Sequence, residues 1–307
     1  MLYFDHAATT PVHPKVVKKM EDVSRLDYGN PSSVYSSGRV AKSIIEDARC
    51  QIASMIDASP SEIYFTGSGT EANNIVLWSM LYNEKKHVIT SAIEHPAVLK
   101  VLEELQYFGV TFDVLPVDST GLVDPKDVEM AIKKDTGMIS IMYVNNEIGT
   151  IQSLQKLIEI SKKRSILFHS DCVQVIGKLP LSVLKIEADY MSFSAHKFYG
   201  PKGIGFLYRR KGAPLRPLVI GGGQESNIRA GTENISGIAG LGVAAKLAYQ
   251  NLSSRIDHLF QLEKYFKNNI IQKLPHIIFN GNNDQHIPGL CSITIPRKKN
   301  EIVLAKL

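Results

Sequence analysis

Cysteine is scarce in this sequence of 307 residues, and its three cysteines lie far apart with no CxxC pair. That pattern argues against a disulfide framework or a zinc site and is typical of proteins in a reducing cytoplasm. The first residues lack the basic segment and apolar core of a signal peptide. The longest apolar-leaning stretch, SGIAGLGVAAKLA, is interrupted by glycines and Lys246, so no membrane-spanning helix is predicted.

Charge of one sign is not in large excess either. The chain carries 35 Lys and Arg against 30 Asp and Glu, a net charge of +5. The densest basic run, RKK at residues 297–299, is interpreted as a solvated turn, and no aromatic residues alternate with basic ones as single-strand binding requires. A nucleic-acid partner is therefore not expected. The length and the 44% hydrophobic content predict a globular protein with one large domain and a smaller one.

Strand-like and helical segments alternate through the middle of the chain. The strand segments are EIYFTG, HVITSAI, TFDVLPV, GMISIMYV, SILFHSD and ADYMSFS. The helical segments are TEANNIVLWSMLYN, PAVLKVLEELQYFG, DPKDVEMAIKK and LQKLIEISKKR. Strands separated by helices of this length indicate βαβ units, so we predict an α/β fold with a mostly parallel central sheet flanked by helices. Ligands of such sheets bind beyond the carboxyl ends of the strands.

Further helices are predicted on either side of this block. GRVAKSIIEDARCQIASMI has the pattern of an amphipathic helix, with Cys50 interpreted as a thiol packed among its apolar residues. A long helical region begins with ENISGIAG and continues to about Lys273. A strand in GLCSITI and the first turns of a helix in NEIVLAKL come last.

Polar side chains follow the predicted strands where a ligand would bind. In TGSGTEANN, Gly69 and Thr70 lie where backbone N–H groups and a hydroxyl favour a phosphate; the alternative is an ordinary turn. In HSDCVQ, Asp171 ends a strand and Gln174 follows; the alternative for the aspartate is a helix N-cap. In SAIEHPAV, His95 either has a structural role or lies over a ligand ring.

A lysine in SFSAHKFYGPKG lies among small and aromatic residues after an apolar strand. This residue, Lys197, has Ser194 and His196 nearby. A lysine in a lined pocket loses its proton more readily and can act as a nucleophile or form a Schiff base. The alternative is a lysine whose stem lies along the sheet edge. Taken together, a phosphate cradle, a carboxylate, an imidazole and a lysine match the phosphate, ring and aldehyde of pyridoxal phosphate.

The chain resembles the cysteine desulfurases of the NifS/IscS type, class V members of the fold-type I pyridoxal-phosphate enzymes. The resemblance runs from residue 3 to the end, through YFDHAATTPV, YGNPSSVYSSGRVA, FTGSGTEANN, EHPAV, VNNEIGTIQ, HSDCVQ, SFSAHKFYGPKGIG and GGGQESNIRAGTEN. It implies a large cofactor-binding domain, residues 13–246. It also implies a smaller α/β domain, residues 1–12 and 247–307, that lacks its C-terminal part.

The resemblance also implies a role for each matching residue. Lys197 would form the Schiff base with pyridoxal 5'-phosphate and later act as a base, and Asp171 would pair with the ring nitrogen. Gln174 would hydrogen-bond the ring oxygen, and His95 would stack on the ring and help move protons. The residues implied for the phosphate are Gly69, Thr70, Ser194, His196 and, from a neighbouring subunit, Thr232. A homodimer is therefore implied. Asn146 would contact the cofactor side of the substrate, and the HAATT segment would lie near the site mouth.

The implied reaction converts L-cysteine to L-alanine and passes the sulfur to an enzyme cysteine as a persulfide, for iron–sulfur cluster or thio-cofactor assembly in the cytoplasm. Sulfur-acceptor or scaffold proteins would be its partners, with no nucleic acid or membrane required. Two alternatives remain: another class V reaction, such as selenocysteine lysis or amino transfer, and a catalytically weak scaffold that binds the cofactor.

The chain departs from the family pattern at several positions. The nucleophilic cysteine is expected on a loop beyond GLCSITI, as is an arginine for the substrate carboxylate, and the sequence stops at Leu307 before that loop. Cys291 matches the strand and not the loop, and Cys172 is interpreted as packing. Tyr35 replaces the usual histidine near GNPSS. We expect a desulfurase whose C-terminal part is missing and whose own activity is low.

Overall fold

A seven-stranded sheet forms the centre of the computed structural model, which describes residues 2–304. The strands are β1 (Ile63–Thr66), β2 (His87–Ser91), β3 (Thr111–Leu115), β4 (Thr136–Ser140), β5 (Leu167–Asp171), β6 (Tyr190–Ser194) and β7 (Gly205–Arg209). Their order is β1-β7-β6-β5-β4-β2-β3, and β7 runs antiparallel to both of its neighbours. The other pairs are parallel, which confirms the predicted α/β fold with a mostly parallel sheet.

Helices flank this sheet and continue beyond it. They are α1 (Pro14–Leu26), α2 (Ser36–Met55), α3 (Gly69–Trp78), α4 (Pro96–Leu105), α5 (Pro125–Ala131), α6 (Leu154–Lys163), α7 (Val183–Ile186), α8 (Ile235–Gln250), α9 (Leu252–Lys273) and α10 (Asn300–Leu304). The long helical region predicted to reach Lys273 is two helices. It breaks at Asn251, whose side-chain amide donates to the Leu247 carbonyl at 2.9 Å and ends α8.

Most strands of the sheet, including the edge strand β1, are buried on both faces. Every residue of β1, β2, β4 and β6 is buried, while β3, at the opposite edge from β1, is partly exposed. A strand covered by helices on both sides has no polar face, which explains the nearly continuous apolar runs in the sequence. Phe193 of β6 and Phe206 of β7 stack across the sheet with ring centroids 4.3 Å apart. The sheet is therefore a rigid frame for the loops at its carboxyl edge.

Cys50 is exposed, so its prediction as a packed thiol was wrong. The buried stripe of α2 is formed by Ala41, Ile45, Ala48 and Ile52. These residues repeat every three or four positions, and Cys50 lies between two of them on another face of the helix. Apolar neighbours along the sequence did not mean apolar neighbours in space.

A small hairpin follows the last long helix. Strands β8 (Ile278–Phe279) and β9 (Ile293–Thr294) pair antiparallel, and Cys291 precedes β9 and is half-buried. The hairpin loop joins the main sheet region through the Ile151 N–H, which donates to the Gln285 carbonyl at 2.8 Å. Within residues 2–304, no helix is both long enough and apolar enough to cross a membrane. The division into domains at residues 13 and 246 stays a prediction.

Candidate active site

Three predicted residues lie where β5 and β6 end. Asp171 is the last residue of β5 and pairs with Ser192 of β6, and Ser194 ends β6 two residues later. A single 3₁₀ turn, Ala195–Lys197, follows directly and carries Lys197. Since the two strands are parallel, their carboxyl ends share one edge of the sheet. The carboxylate and the amine are close enough for each to influence the other's pKa.

The Asp171 carboxylate is buried, with 5% of the residue exposed. Its Oδ2 accepts a hydrogen bond from Asn73 Nδ2 at 2.7 Å, and its Oδ1 accepts one from the Val173 N–H at 3.0 Å. Burial raises the pKa of Asp171 above its usual value, and these donors together with His95 and Lys197 oppose the rise. A buried carboxylate of this kind favours a cationic partner. Sequence reasoning quoted the Asn73 motif but did not single that residue out.

The Lys197 amine points at the chain's opening segment. Its Nζ donates to the carbonyl oxygens of Ala7 at 2.6 Å and Ala8 at 2.8 Å. Burial lowers the pKa of Lys197, while the carboxylates of Asp171, Asp5 and Glu147 oppose that change. A lowered pKa leaves more of the amine unprotonated at neutral pH, and the unprotonated amine is the nucleophilic form.

The HAATT segment lies on the turn that carries Lys197. Thr10 donates its N–H and its hydroxyl to the His196 carbonyl, each at 2.9 Å, and its hydroxyl oxygen accepts from the Tyr199 N–H at 2.7 Å. His196 Nδ1 and Thr9 Oγ1 are 3.1 Å apart. Burial, with the charges of Lys197 and Lys202, lowers the pKa of His196 to about 4, so its imidazole is neutral at pH 7. A neutral ring still donates one N–H.

The glycine-rich turn brings the start of α3 against the same strand ends. Gly69 is the first residue of α3, and Ser68 caps the helix by accepting the Glu71 N–H at 3.1 Å. A Cβ on Gly69 would lie 2.5 Å from Val173 Cγ2 and 3.5 Å from Ser194 Cβ. Only glycine allows this approach. The first N–H groups of the helix, at Gly69 and Thr70, precede its internal hydrogen bonds and form a site suited to an anion.

His95 is the N-cap residue of α4, and a hydrogen bond to the helix orients its ring. Its Nδ1 accepts the Ala97 N–H at 3.1 Å, which leaves Nε2 as the nitrogen that faces away from the helix. The preceding residue, Glu94, is buried and accepts the Met142 N–H at 2.9 Å and the Ser91 hydroxyl at 2.5 Å. Burial raises the pKa of Glu94 to about 8. Sequence reasoning missed this carboxyl, which fastens the His95 loop to the end of β4.

The remaining predicted residues differ in their surroundings. Gln174 is buried, and its Nε2 donates to the Ala7 carbonyl at 2.9 Å, the same oxygen that Lys197 contacts. Asn146 is half-buried, and its Nδ2 donates to Glu147 Oε1 at 2.6 Å. Thr232 is exposed in the loop before α8. The cofactor roles of all these residues stay predictions at this point.

Cys172 is fully buried beside Asp171, as its interpretation as packing requires. Burial raises the pKa of its thiol, with Asp171 adding to the rise and Ser170 opposing it. The thiolate, which is the reactive form, is therefore disfavoured. Burial likewise raises the pKa of Cys291 to about 11. Neither side chain has the environment of a nucleophilic cysteine.

Comparison with known proteins places the chain in a family. Residues 2–307 match the aminotransferase class-V family. A protein named cysteine desulfurase IscS, from Dictyoglomus turgidum, is 42% identical over 309 residues that cover 100% of this chain and 78% of the relative. A solved NifS-like protein superposes with a TM-score of 0.95 at 39% identity, over 98% of this chain and 84% of its own. A structure of SspA in complex with cysteine gives a TM-score of 0.78 at 39% identity, over 80% of this chain and 72% of the SspA chain. The chain belongs to the aminotransferase class-V family.

Proposed function

We propose that this chain is a pyridoxal 5'-phosphate-dependent cysteine desulfurase that acts on L-cysteine. The observation that carries the proposal is that Asp171 ends β5 while Lys197 lies in the turn directly after β6, its parallel neighbour, so that both lie at one edge of the sheet. The relatives named cysteine desulfurase support the substrate, and so does the related protein solved with cysteine. The sulfur serves iron–sulfur cluster or thio-cofactor assembly in the cytoplasm.

The donor set of the site fits this cofactor. Asp171 offers a buried carboxylate for a protonated ring nitrogen, and Gln174 offers an amide N–H for the ring oxygen. Lys197 offers an amine whose pKa is lowered by burial. The start of α3, where Gly69 admits no side chain, offers N–H groups for the phosphate. His95, with Nδ1 already engaged, offers a flat ring.

When bound, the cofactor supplies an electron sink for carbanion chemistry at the amino acid. The protein's own residues would bind the cofactor and move the proton. Asp171 would hold a positive charge at the ring nitrogen, and the Lys197 amine would bond to the cofactor and also serve as a base. The α3 N-terminus with Ser194 and His196 would hold the phosphate. The HAATT segment binds the Lys197 amine through the carbonyl oxygens of Ala7 and Ala8.

The sulfur step needs a thiol besides the substrate. L-cysteine and a thiol give L-alanine and a persulfide: the Cβ–S bond breaks, an S–S bond forms, and Cβ gains a hydrogen. We assign the attacking thiolate to none of the three cysteines, because Cys172 and Cys291 have raised pKa values and Cys50 lies outside the site on α2. In the experiment below, an added thiol accepts the sulfur.

A homodimer and sulfur-acceptor or scaffold proteins complete the proposal. Thr232 is exposed and so is available to a neighbouring subunit's phosphate. Residues 218–220 join the same loop through the Ala230 N–H, which donates to the Val219 carbonyl at 3.3 Å, and they leave apolar side chains in solvent, with Ile220 83% exposed. Apolar groups exposed next to a predicted intersubunit contact are typical of a surface that another copy covers.

Product analysis tests the function. Purified protein loaded with the cofactor is incubated with L-cysteine and dithiothreitol, with no keto acid added. We expect equal amounts of alanine and sulfide. A requirement for a keto acid would instead indicate an aminotransferase, and turnover of selenocysteine alone would indicate a selenocysteine lyase. A bound cofactor with no turnover of any amino acid would favour the scaffold.

Replacing Cys172 with alanine should leave cofactor affinity and turnover unchanged, because its thiol is buried and its thiolate is disfavoured. The loss of one packed sulfur costs about 1 kcal/mol of stability, seen as a small fall in melting temperature. Cys50→Ala, at an exposed position, is the matched control and should change neither property. Loss of sulfur transfer with the cofactor retained in Cys172→Ala would show that the packing interpretation is wrong.

A further inference from the structure

A second lysine reaches the site, one that the proposed chemistry does not use. Lys178 follows β5 by seven residues and is half-buried. Its Nζ donates a short hydrogen bond to Gln174 Oε1, four residues earlier in the chain. The other end of the same amide, Nε2, donates to the Ala7 carbonyl at 2.9 Å. Both ends of the buried Gln174 amide are therefore engaged.

The chemistry of the two partners decides which way the amide points. A lysine ammonium has three N–H donors and no acceptor, and a carbonyl oxygen only accepts. If the amide turned over, its NH₂ would face the ammonium of Lys178, and its oxygen would face the Ala7 carbonyl. Both contacts would then be repulsive inside the protein, where unpaired polar groups cost most. Lys178 thus keeps the N–H end of Gln174 directed at the site.

This direction matters because Lys197 and Gln174 converge. Lys197 Nζ lies 2.6 Å from the Ala7 oxygen that Gln174 Nε2 also contacts, so the amide N–H and the reactive amine lie beside the same point. In the cofactor, the ring oxygen is next to the carbon that bonds to the lysine. That oxygen is negatively charged and needs a donor, which only the Nε2 end of Gln174 can supply.

We infer that Lys178 is a positioning residue: it fixes the Gln174 amide so that this amide donates to the ring oxygen of the cofactor. The inference rests on the proposed function, since it needs the cofactor. Lys178 itself touches neither the cofactor nor the substrate in this role. It acts through Gln174 alone.

Burial and the charges around Lys178 disfavour its ammonium form, and the hydrogen bond to Gln174 opposes them. Burial lowers its pKa to about 7, with the positive charges of Lys197 and Arg255 adding to the fall. Arg255 lies close by: its guanidinium stacks over the Tyr199 ring at 4.7 Å, and a Cβ on Gly177 would be 3.0 Å from Nη1. The Gln174 oxygen accepts from Lys178, and a hydrogen bond of this kind stabilises the ammonium, so Lys178 donates to the same oxygen in its charged form and, with its remaining N–H groups, in its neutral form.

The test measures the pH at which the visible absorbance band of the cofactor-loaded protein changes. The negative charge on the ring oxygen stabilises the proton on the neighbouring lysine nitrogen. An N–H donor to that oxygen reduces this stabilisation. Without the donor, that proton is lost at a higher pH. We expect Lys178→Met and Gln174→Leu each to raise the midpoint by about one pH unit, the size of one charge-assisted hydrogen bond. Lys178→Arg, which keeps a donor-only cation, should restore the wild-type midpoint.

The double variant separates positioning from a direct effect of the Lys178 charge. In the Gln174→Leu background, Lys178→Met should produce no further shift, because its target amide is gone. A further upward shift there would mean that the Lys178 charge acts directly on the cofactor, and would overturn the inference. If Lys178→Met does not fold, Lys178→Gln replaces it, since its amide accepts as well as donates and no longer fixes Gln174.

The experiment also distinguishes this inference from the proposed function. A wild-type chain that forms no visible band with pyridoxal 5'-phosphate would show that the cofactor assignment is wrong, and this inference with it. A normal wild-type band with an unmoved midpoint in Lys178→Met would overturn this inference alone.

Discussion

Replacing Lys197 with alanine should abolish the covalent attachment of pyridoxal 5'-phosphate and lower turnover by about 10³-fold or more. The variant loses both the amine that bonds to the aldehyde and the base that moves the proton. The wild-type protein should be yellow, and borohydride should fix the cofactor to Lys197 as a stable secondary amine. Peptide mapping by mass spectrometry locates the label.

The variant should fold, so the loss can be attributed to chemistry. The Lys197 amine makes two hydrogen bonds, to the carbonyls of Ala7 and Ala8, and each contributes about 1 kcal/mol. The HAATT segment stays attached through Thr10, which bonds to His196 and Tyr199. Lys202→Ala, at an exposed position on the same loop, is the control and should keep the full label. Recovering the label on Lys202 or Lys178 would refute the assignment of Lys197.

The change Asp171→Asn should lower turnover by about 10²- to 10³-fold while the protein still binds the cofactor. A neutral amide cannot hold a positive charge at the ring nitrogen, so the ring becomes a poorer electron sink. The site around Asp171 is buried, where a lost charge is least compensated by water. Steady-state kinetics and a cofactor titration measure the two effects separately.

The surroundings of Asp171 can accept an amide. Asn73 donates Nδ2 to the carboxylate, and its own Oδ1 has no hydrogen-bond partner among the described residues. If the Asn73 amide turns over, that oxygen can accept from the new amide, so the contact is kept. Asp189→Asn is the matched control, because Asp189 is a buried aspartate outside the site that pairs with Arg210. That control should lower stability without a selective loss of turnover. Wild-type turnover in Asp171→Asn would remove Asp171 from the mechanism.

Much of the sheet could be predicted from the sequence, because buried parallel strands leave a strong apolar signal. The six predicted strands from EIYFTG to ADYMSFS all form, as do the helices between them. Strand β7 was not predicted, since GIGFLYRR is short and follows a glycine-rich loop, and its antiparallel direction depends on pairing with β1 and β6. Helix α1 was also not predicted, because its buried contacts are few, at Val16 and Val23.

The candidate site was predictable where a polar residue ends an apolar strand. Asp171 ends β5 and follows this rule, and Lys197 and Gly69 were predicted because they lie in the short segments directly after β6 and β1. The residues that orient them do not follow the rule. Asn73 lies within α3 and contacts Asp171. Glu94 accepts a hydrogen bond from the Met142 N–H, in the loop that follows β4. Lys178 reaches the site through a turn of irregular backbone. Their roles depend on contacts between distant parts of the chain, which leave no local pattern in the sequence.

The sequence by itself determined the α/β fold and the residue types at the strand ends, because strand and helix periodicity and motif chemistry are local properties. Only the tertiary structure decided which groups meet in the site: the Ala7 carbonyl contacts Lys197, Asn73 contacts Asp171, and Lys178 contacts Gln174. The tertiary structure also places Cys50 at the surface and Cys172 in the interior. Burial and charge proximity, which set the pKa values of the site, arise only when separate elements pack together.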